Sequence, residues 1–105
     1  MKKEMYNYFT TKMPEEGCGL IIEREGKEEF IPIENVAEDK EKTFALDPRM
    51  WIIFILDESV KIKSVIHSHV TEVGLSEEDK KASDFLNIPY GVMQLPSGEI
   101  TWTNK

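Results

Sequence analysis

Cysteine is almost missing from this 105-residue chain, with Cys18 the only one. A single thiol excludes an internal disulfide and any multi-cysteine zinc site. Histidine is nearly as scarce, at two residues. Cations are outnumbered: 13 Lys plus Arg face 20 Asp plus Glu, a net charge of −7 at pH 7. Phosphate backbones are bound by clustered cations, so nucleic-acid binding is not expected. Long apolar runs are absent too. The longest runs through Trp51-Ile52-Ile53-Phe54-Ile55-Leu56 and, counting Met50, has seven residues, against the ~20 that span a bilayer. The first residues carry no apolar stretch with a small-residue cleavage site, so no signal peptide is expected. The expectation is a reduced, cytoplasmic, soluble domain without membrane contact.

What is present is globular. Hydrophobic residues make up 40% and charged residues 31%, a balance that supports a core. The length suits one domain over 1–105, and no repeat, low-complexity stretch or Gly/Ser linker divides it. Met5, Tyr8 and Phe9 are spaced three and four apart, which predicts a helix over 3–12 that ends before Pro14. Gly19–Arg24 and Glu29–Val36 read as a hairpin closed by Glu25-Gly26-Lys27, with Pro32 marking an edge strand or a strand irregularity. Thr43–Leu46 reads as a short strand. Asp47-Pro48 has the form of an N-cap with proline at the first helical position. The helix it opens, Pro48 to about Glu58, would turn Trp51, Phe54 and Ile55 to one face, with a strand as the rival reading because Ile52 and Ile53 are β-branched. Lys61–Ile66 predicts a central strand that runs on into His67-Ser68-His69. Ser76 opens a helix to about Leu86, and Pro89–Leu95 and Glu99–Thr103 form a second hairpin around Pro96-Ser97-Gly98. The expected fold class is α+β, a single mixed sheet flanked by helices.

His67-Ser68-His69 holds both histidines of the chain. Residues two apart on a strand point the same way, so the two imidazoles can converge on one metal ion such as zinc. The alternative is a pair of surface histidines after a core strand. Ser76-Glu77-Glu78-Asp79 follows seven residues after His69. Ser with an acid three residues on is close to a capping box. Asp79 at the end of that turn can also point back at the histidines, and a ligand can belong to a cap. Two imidazoles and one carboxylate leave the fourth position of a tetrahedral zinc open, as catalytic sites do. Hydrolysis there also needs a proton carrier. Glu16, in Pro14-Glu15-Glu16-Gly17-Cys18-Gly19 between the first helix and the first strand, is the candidate. Its rival reading is an exposed loop acid. Cys18 reads as a small buried residue, since no histidine outside the pair is left to activate it.

Glu16-Gly17-Cys18-Gly19-Leu20, then His67-Ser68-His69, then Ser76-x-x-Asp79, resembles the signature of the JAMM (MPN+) zinc metallopeptidases. The likeness extends over nearly the whole chain. It is greatest to the bacterial and phage branch, including the JAMM domain of phage tail-assembly proteins, through Ile31-Pro32-Ile33-Glu34-Asn35 and Pro89-Tyr90. The resemblance implies a cytidine-deaminase-like JAMM/MPN sandwich. It implies zinc on His67, His69 and Asp79, Glu16 as general base and acid, and Ser76 as an oxyanion donor. Two positions depart from the family pattern. Val70 stands where proline usually follows the second histidine, and nine residues rather than ten separate His69 from Asp79.

The expected activity is zinc-dependent hydrolysis of a peptide or isopeptide bond. The family suggests ubiquitin-like sulfur carriers, cell-wall peptides or, for a tail-associated domain, phage tail proteins as substrates or partners. The long insertions with which eukaryotic relatives grip ubiquitin are absent, so a dedicated ubiquitin isopeptidase is not expected. The alternative is a non-catalytic MPN-type interaction or tail-assembly module. A zinc nucleoside deaminase would suit the fold but lacks its Pro-Cys-x-x-Cys ligands here.

Overall fold

A computed structural model describes residues 1–103. Its elements are α1 (Lys2–Lys12), β1 (Cys18–Arg24), β2 (Lys27–Ile33), α2 (Pro48–Leu56), β3 (Val60–His69), α3 (Glu77–Leu86), β4 (Tyr90–Gln94) and β5 (Ile100–Trp102). They form a small α+β domain around one five-stranded mixed sheet of order β2-β1-β3-β4-β5. β3 is the central strand. It runs antiparallel to β1 and parallel to β4, which it reaches through α3.

Local chemistry accounts for most of the boundaries. β1 and β2 are joined by Glu25 and Gly26, both at positive φ (54° and 77°), the two-residue turn whose twist matches a hairpin. This turn is shorter than the sequence suggested, so β2 begins at Lys27 rather than Glu29. β2 is an edge strand and so tolerates Pro32. The Asp47 side chain caps α2 through Arg49 N–H at 3.0 Å, with Pro48 at the first position, as expected.

Thr43–Leu46 is not a strand. Its only ladder contact is one bridge, Asn35 with Leu46. The Asn35 side chain takes over the pairing: Oδ1 accepts from Ala37 N–H and Ala45 N–H, and Nδ2 donates to the carbonyls of Glu16 and Thr43. A side chain that satisfies the backbone in this way holds a loop where a ladder would otherwise form.

The sheet is covered on both faces. On one, Met5 and Phe9 of α1 pack with Ile21, Phe30, Ile66, Met93 and Leu95. On the other, α2 and α3 cover Leu20, Ile22, Ile33, Val65 and Tyr90. Only Trp51 and Phe54 of α2 pack there. Ile55, expected on the same face, is 47% exposed, and no residue of α2 is buried. No helix among the described residues is long and apolar enough to cross a membrane.

Candidate metal centre

β3 carries a bulge that decides where the histidines point. Ser64 opposes Ile21 and Ile62 opposes Ile22, so Lys63 has no opposite residue. One extra residue reverses the alternation of side chains along a strand. Ile62 and Val65 therefore share the α2/α3 face although they are three apart. His67 and His69, in step with Val65, emerge on that same face at the C-terminal end of β3. Both are buried.

The two Nε2 atoms lie 3.1 Å apart. Asp79, in the first turn of α3, divides its oxygens between the rings: Oδ1 is 3.1 Å from His67 Nε2, and Oδ2 is 3.7 Å from His69 Nε2. Asp79 also belongs to a complete capping box. Ser76 Oγ accepts from Asp79 N–H at 3.1 Å, and Ser76 N–H donates to Asp79 Oδ2 at 3.0 Å. The cap reading of this segment is thus met, and the capping carboxylate is the one that reaches both imidazoles. Glu16 Oε2 lies 3.8 Å from His69 Nε2. Ligand atoms of Glu16, His67 and His69 all fall within 4.8 Å of one another, so these three buried groups could hold a metal ion.

Glu16 is placed by its backbone. Gly17 and Ser68 bridge the loop to β3 twice: Gly17 N–H donates to Ser68 Oγ at 2.8 Å, and Ser68 N–H to the Gly17 carbonyl at 2.9 Å. Glu16 N–H donates to the Lys40 carbonyl at 2.7 Å, and Asn35 holds its carbonyl. Gly17 has to be glycine, because a Cβ there would lie 2.5 Å from the Phe9 ring. Sequence reasoning gave Asn35, Ser68 and Gly74 no part in the site. The signal for Asn35 is the Ile31-Pro32-Ile33-Glu34-Asn35 likeness, which gives it no role at the site. Asn35→Ala would leave two carbonyls and two N–H groups short of a partner, and we expect it to lower stability by roughly 2 kcal/mol or more in a denaturant melt.

The electrostatics are those of a centre with too few hydrogens. The Gly74 carbonyl, 3.0 Å from His69 Nδ1, can only accept, so Nδ1 carries the proton and Nε2 keeps a lone pair. Any hydrogen between the two rings must then sit on His67 Nε2, where Asp79 also competes for it. Among the described residues His67 Nδ1 has no hydrogen-bond partner. Burial, and then the charges of Asp79, Glu72 and Glu78, push the Glu16 carboxyl up to about 8. Burial also raises Asp79, but its hydrogen bond and charge interaction with His67 and the bonds to Ser76 outweigh this and hold it at about 2. Burial, and then His67, lower His69, against the pull of Asp79 and Glu72. Crowded acceptors around one His Nε2 are what a cation would satisfy.

The centre opens into a cavity of about 850 Å³ between α3 and the 42–46 segment. Its acidic end holds Glu16, His69, Asp79 and Ser76, and its far wall is apolar, with Leu46, Trp51, Ala82 and Leu86. The Phe44 ring stacks on His67 with centroids 4.3 Å apart.

Neither a family model nor a curated protein matches this chain. Among solved structures it is similar to the solution structure of protein DSY2949 from Desulfitobacterium hafniense. Identity is 24% and the TM-score 0.70, over 95% of this chain and 75% of that one. At this identity the likeness concerns the fold alone.

Proposed function

We propose that this chain is a small zinc-dependent hydrolase of the JAMM type, with the corresponding sandwich fold, cleaving a peptide or isopeptide bond. The observation that carries the reading is the convergence of Glu16, His67, His69 and Asp79, from three separate chain segments, at one end of an open cleft. His67, His69 and Asp79 would hold the ion. A zinc ion held there would supply an acidified water and a Lewis acid for the carbonyl. The Glu16 carboxylate takes a proton from the attacking water and returns it to the leaving amine, as a general base that becomes a general acid. Its burial keeps it free of other donors, and its backbone hydrogen bonds keep it in place. Ser76 Oγ accepts from the helix and has its own hydrogen uncommitted among the described residues. That hydrogen can go to an oxyanion. The apolar wall and the acidic mouth suit a polypeptide rather than a nucleotide substrate.

One observation favours the alternative, an interaction module: Ile53 and Leu56 of α2 are 63% and 74% exposed, and Phe85 of α3 is 88% exposed. A single experiment separates the two. Purified protein is assayed for zinc by elemental analysis and for cleavage of a peptide library. The hydrolase reading expects about one zinc per chain and cleavage that stops with chelator and returns with zinc. Protein without zinc or without cleavage would overturn it in favour of the module.

A further inference from the structure

The centre contains a carboxylate that the proposed chemistry does not use. Glu72 lies on the loop between β3 and α3, and its Oε2 is 3.7 Å from His69 Nε2. The same nitrogen faces Asp79 Oδ2 at 3.7 Å, Glu16 Oε2 at 3.8 Å and His67 Nε2 at 3.1 Å. Around four-coordinate zinc with bonds of ~2.0–2.1 Å, neighbouring donor atoms stand ~3.3 Å apart. Seen from His69, Glu72 therefore lies close to the spacing of a co-ligand, as Asp79 does. The Glu16 carboxylate is a second sign of a ligand. Its side chain is only 5% exposed, it is aimed at His69, and it accepts no hydrogen bond among the described residues.

The loop is built to turn Glu72 inward. Gly74, at φ +74°, accepts from His69 Nδ1 and donates its N–H to Gln94 Oε1 at 3.4 Å. Both contacts fold the loop back over the end of β3. Glu72, two residues earlier, then faces the histidines while Val73 is 87% exposed. Glu72 also differs from the other carboxylates in how it is held. Its side chain is 57% exposed, against 5% for Glu16 and 7% for Asp79. Among the described residues its side chain makes no hydrogen bond, and its contact is with His69.

We propose that Glu72 is a detachable ligand of the metal centre, occupying in the resting protein the position that hydrolysis needs open. The inference rests on the zinc reading above. The exchange is one of ligands only: the Glu72 carboxylate leaves, and a water molecule or a substrate carbonyl takes its place. No proton or electron moves, and the net charge of the coordinated set rises by one unit. A closed set of ligands binds metal firmly, whereas an open position is needed for chemistry. Glu72 gives the site both states in turn.

The test compares wild type, Glu72→Gln and Glu77→Gln. Glu77 is an acid of the same rim, paired with Lys80 at 3.6 Å, and controls for the loss of one negative charge. Zinc affinity is read by chelator competition, and coordination by the visible absorption of the cobalt(II)-loaded proteins. Glu72→Gln should weaken zinc by at least the ~10-fold that even outer-shell partners contribute, and should alter the cobalt bands. Glu77→Gln should leave both near wild type. At saturating zinc, Glu72→Gln should turn substrate over faster. Equal weakening in both variants, an unchanged cobalt spectrum, or slower turnover by Glu72→Gln each overturns the proposal and leaves the zinc reading standing. Wild-type protein that takes up neither metal overturns both.

Discussion

His69→Ala should lose stoichiometric zinc. Binding energies of ~10–16 kcal/mol at structural zinc sites, shared over three or four ligands, come to about 2.5–5 kcal/mol per ligand. That is on the order of 10²–10⁴-fold in affinity. The loss should sit at the upper end here, because His69 Nε2 is the atom on which His67, Asp79, Glu16 and Glu72 all converge. Elemental analysis after dialysis against a weak chelator reads the result. Since His69 is buried, a melt of the chelator-treated variant belongs beside it, to show that the variant folds. A folded His69→Ala protein with a full zinc complement would remove the histidine pair from the metal assignment.

Glu16→Gln should keep zinc and lose hydrolysis. A positioned general base contributes ~10²–10⁴-fold, and Gln keeps the shape without taking a proton, so the loss should appear in kcat. A structural effect runs the opposite way. With metal removed, Glu16 holds its proton up to about 8 in the folded chain, against an ordinary value of 4.5. A carboxyl with a raised folded pKa costs no stability below the unfolded value. As pH rises from 4.5 toward 8 the unfolded chain ionises first, and stability falls. Burial of the His69 ring slopes the other way over part of this range, so the slope due to Glu16 is read as the difference between chelated wild type and chelated Glu16→Gln from pH 5 to pH 8. Chelated Glu16→Gln should lose most of that slope and melt above the wild type at pH 8. Wild-type turnover by Glu16→Gln would leave Glu16 a buried loop acid. A melting difference between chelated wild type and chelated Glu16→Gln that does not change with pH would contradict its burial in the proton-bound form.

Much of the fold was legible because it rests on short-range chemistry. The Asp47-Pro48 and Ser76 caps, the Pro14 stop and the Glu25-Gly26 turn each depend on residues within a few positions of one another. The misread segment failed for the opposite reason. Thr43–Leu46 is shaped by the Asn35 side chain, which also reaches Glu16, 19 residues away. Ile55 was set on the packed face of α2 from helical spacing alone, but spacing does not tell how much of a helix the sheet covers. Similarly, the order Glu16, His67, His69, Ser76, Asp79 named the residues that meet, whereas Ser68, Asn35 and Gly74 hold them there through bonds to backbone groups or from their own backbone, partners that sequence spacing does not reveal.

The sequence by itself determined that His67 and His69 share a side of their strand, because side chains alternate with a period of two. It did not determine which side. Ile62 and Ile66 are four apart and would share a face in a regular strand, with the histidines opposite Ile62. The structure places Ile62 with Val65 on the α2/α3 face and Ile66 with Phe9 on the other. The bulge at Lys63, fixed by the pairing of β3 with β1, makes that difference. Register is a property of two strands together, and one extra residue in it turns both imidazoles toward α3, where Asp79 meets them.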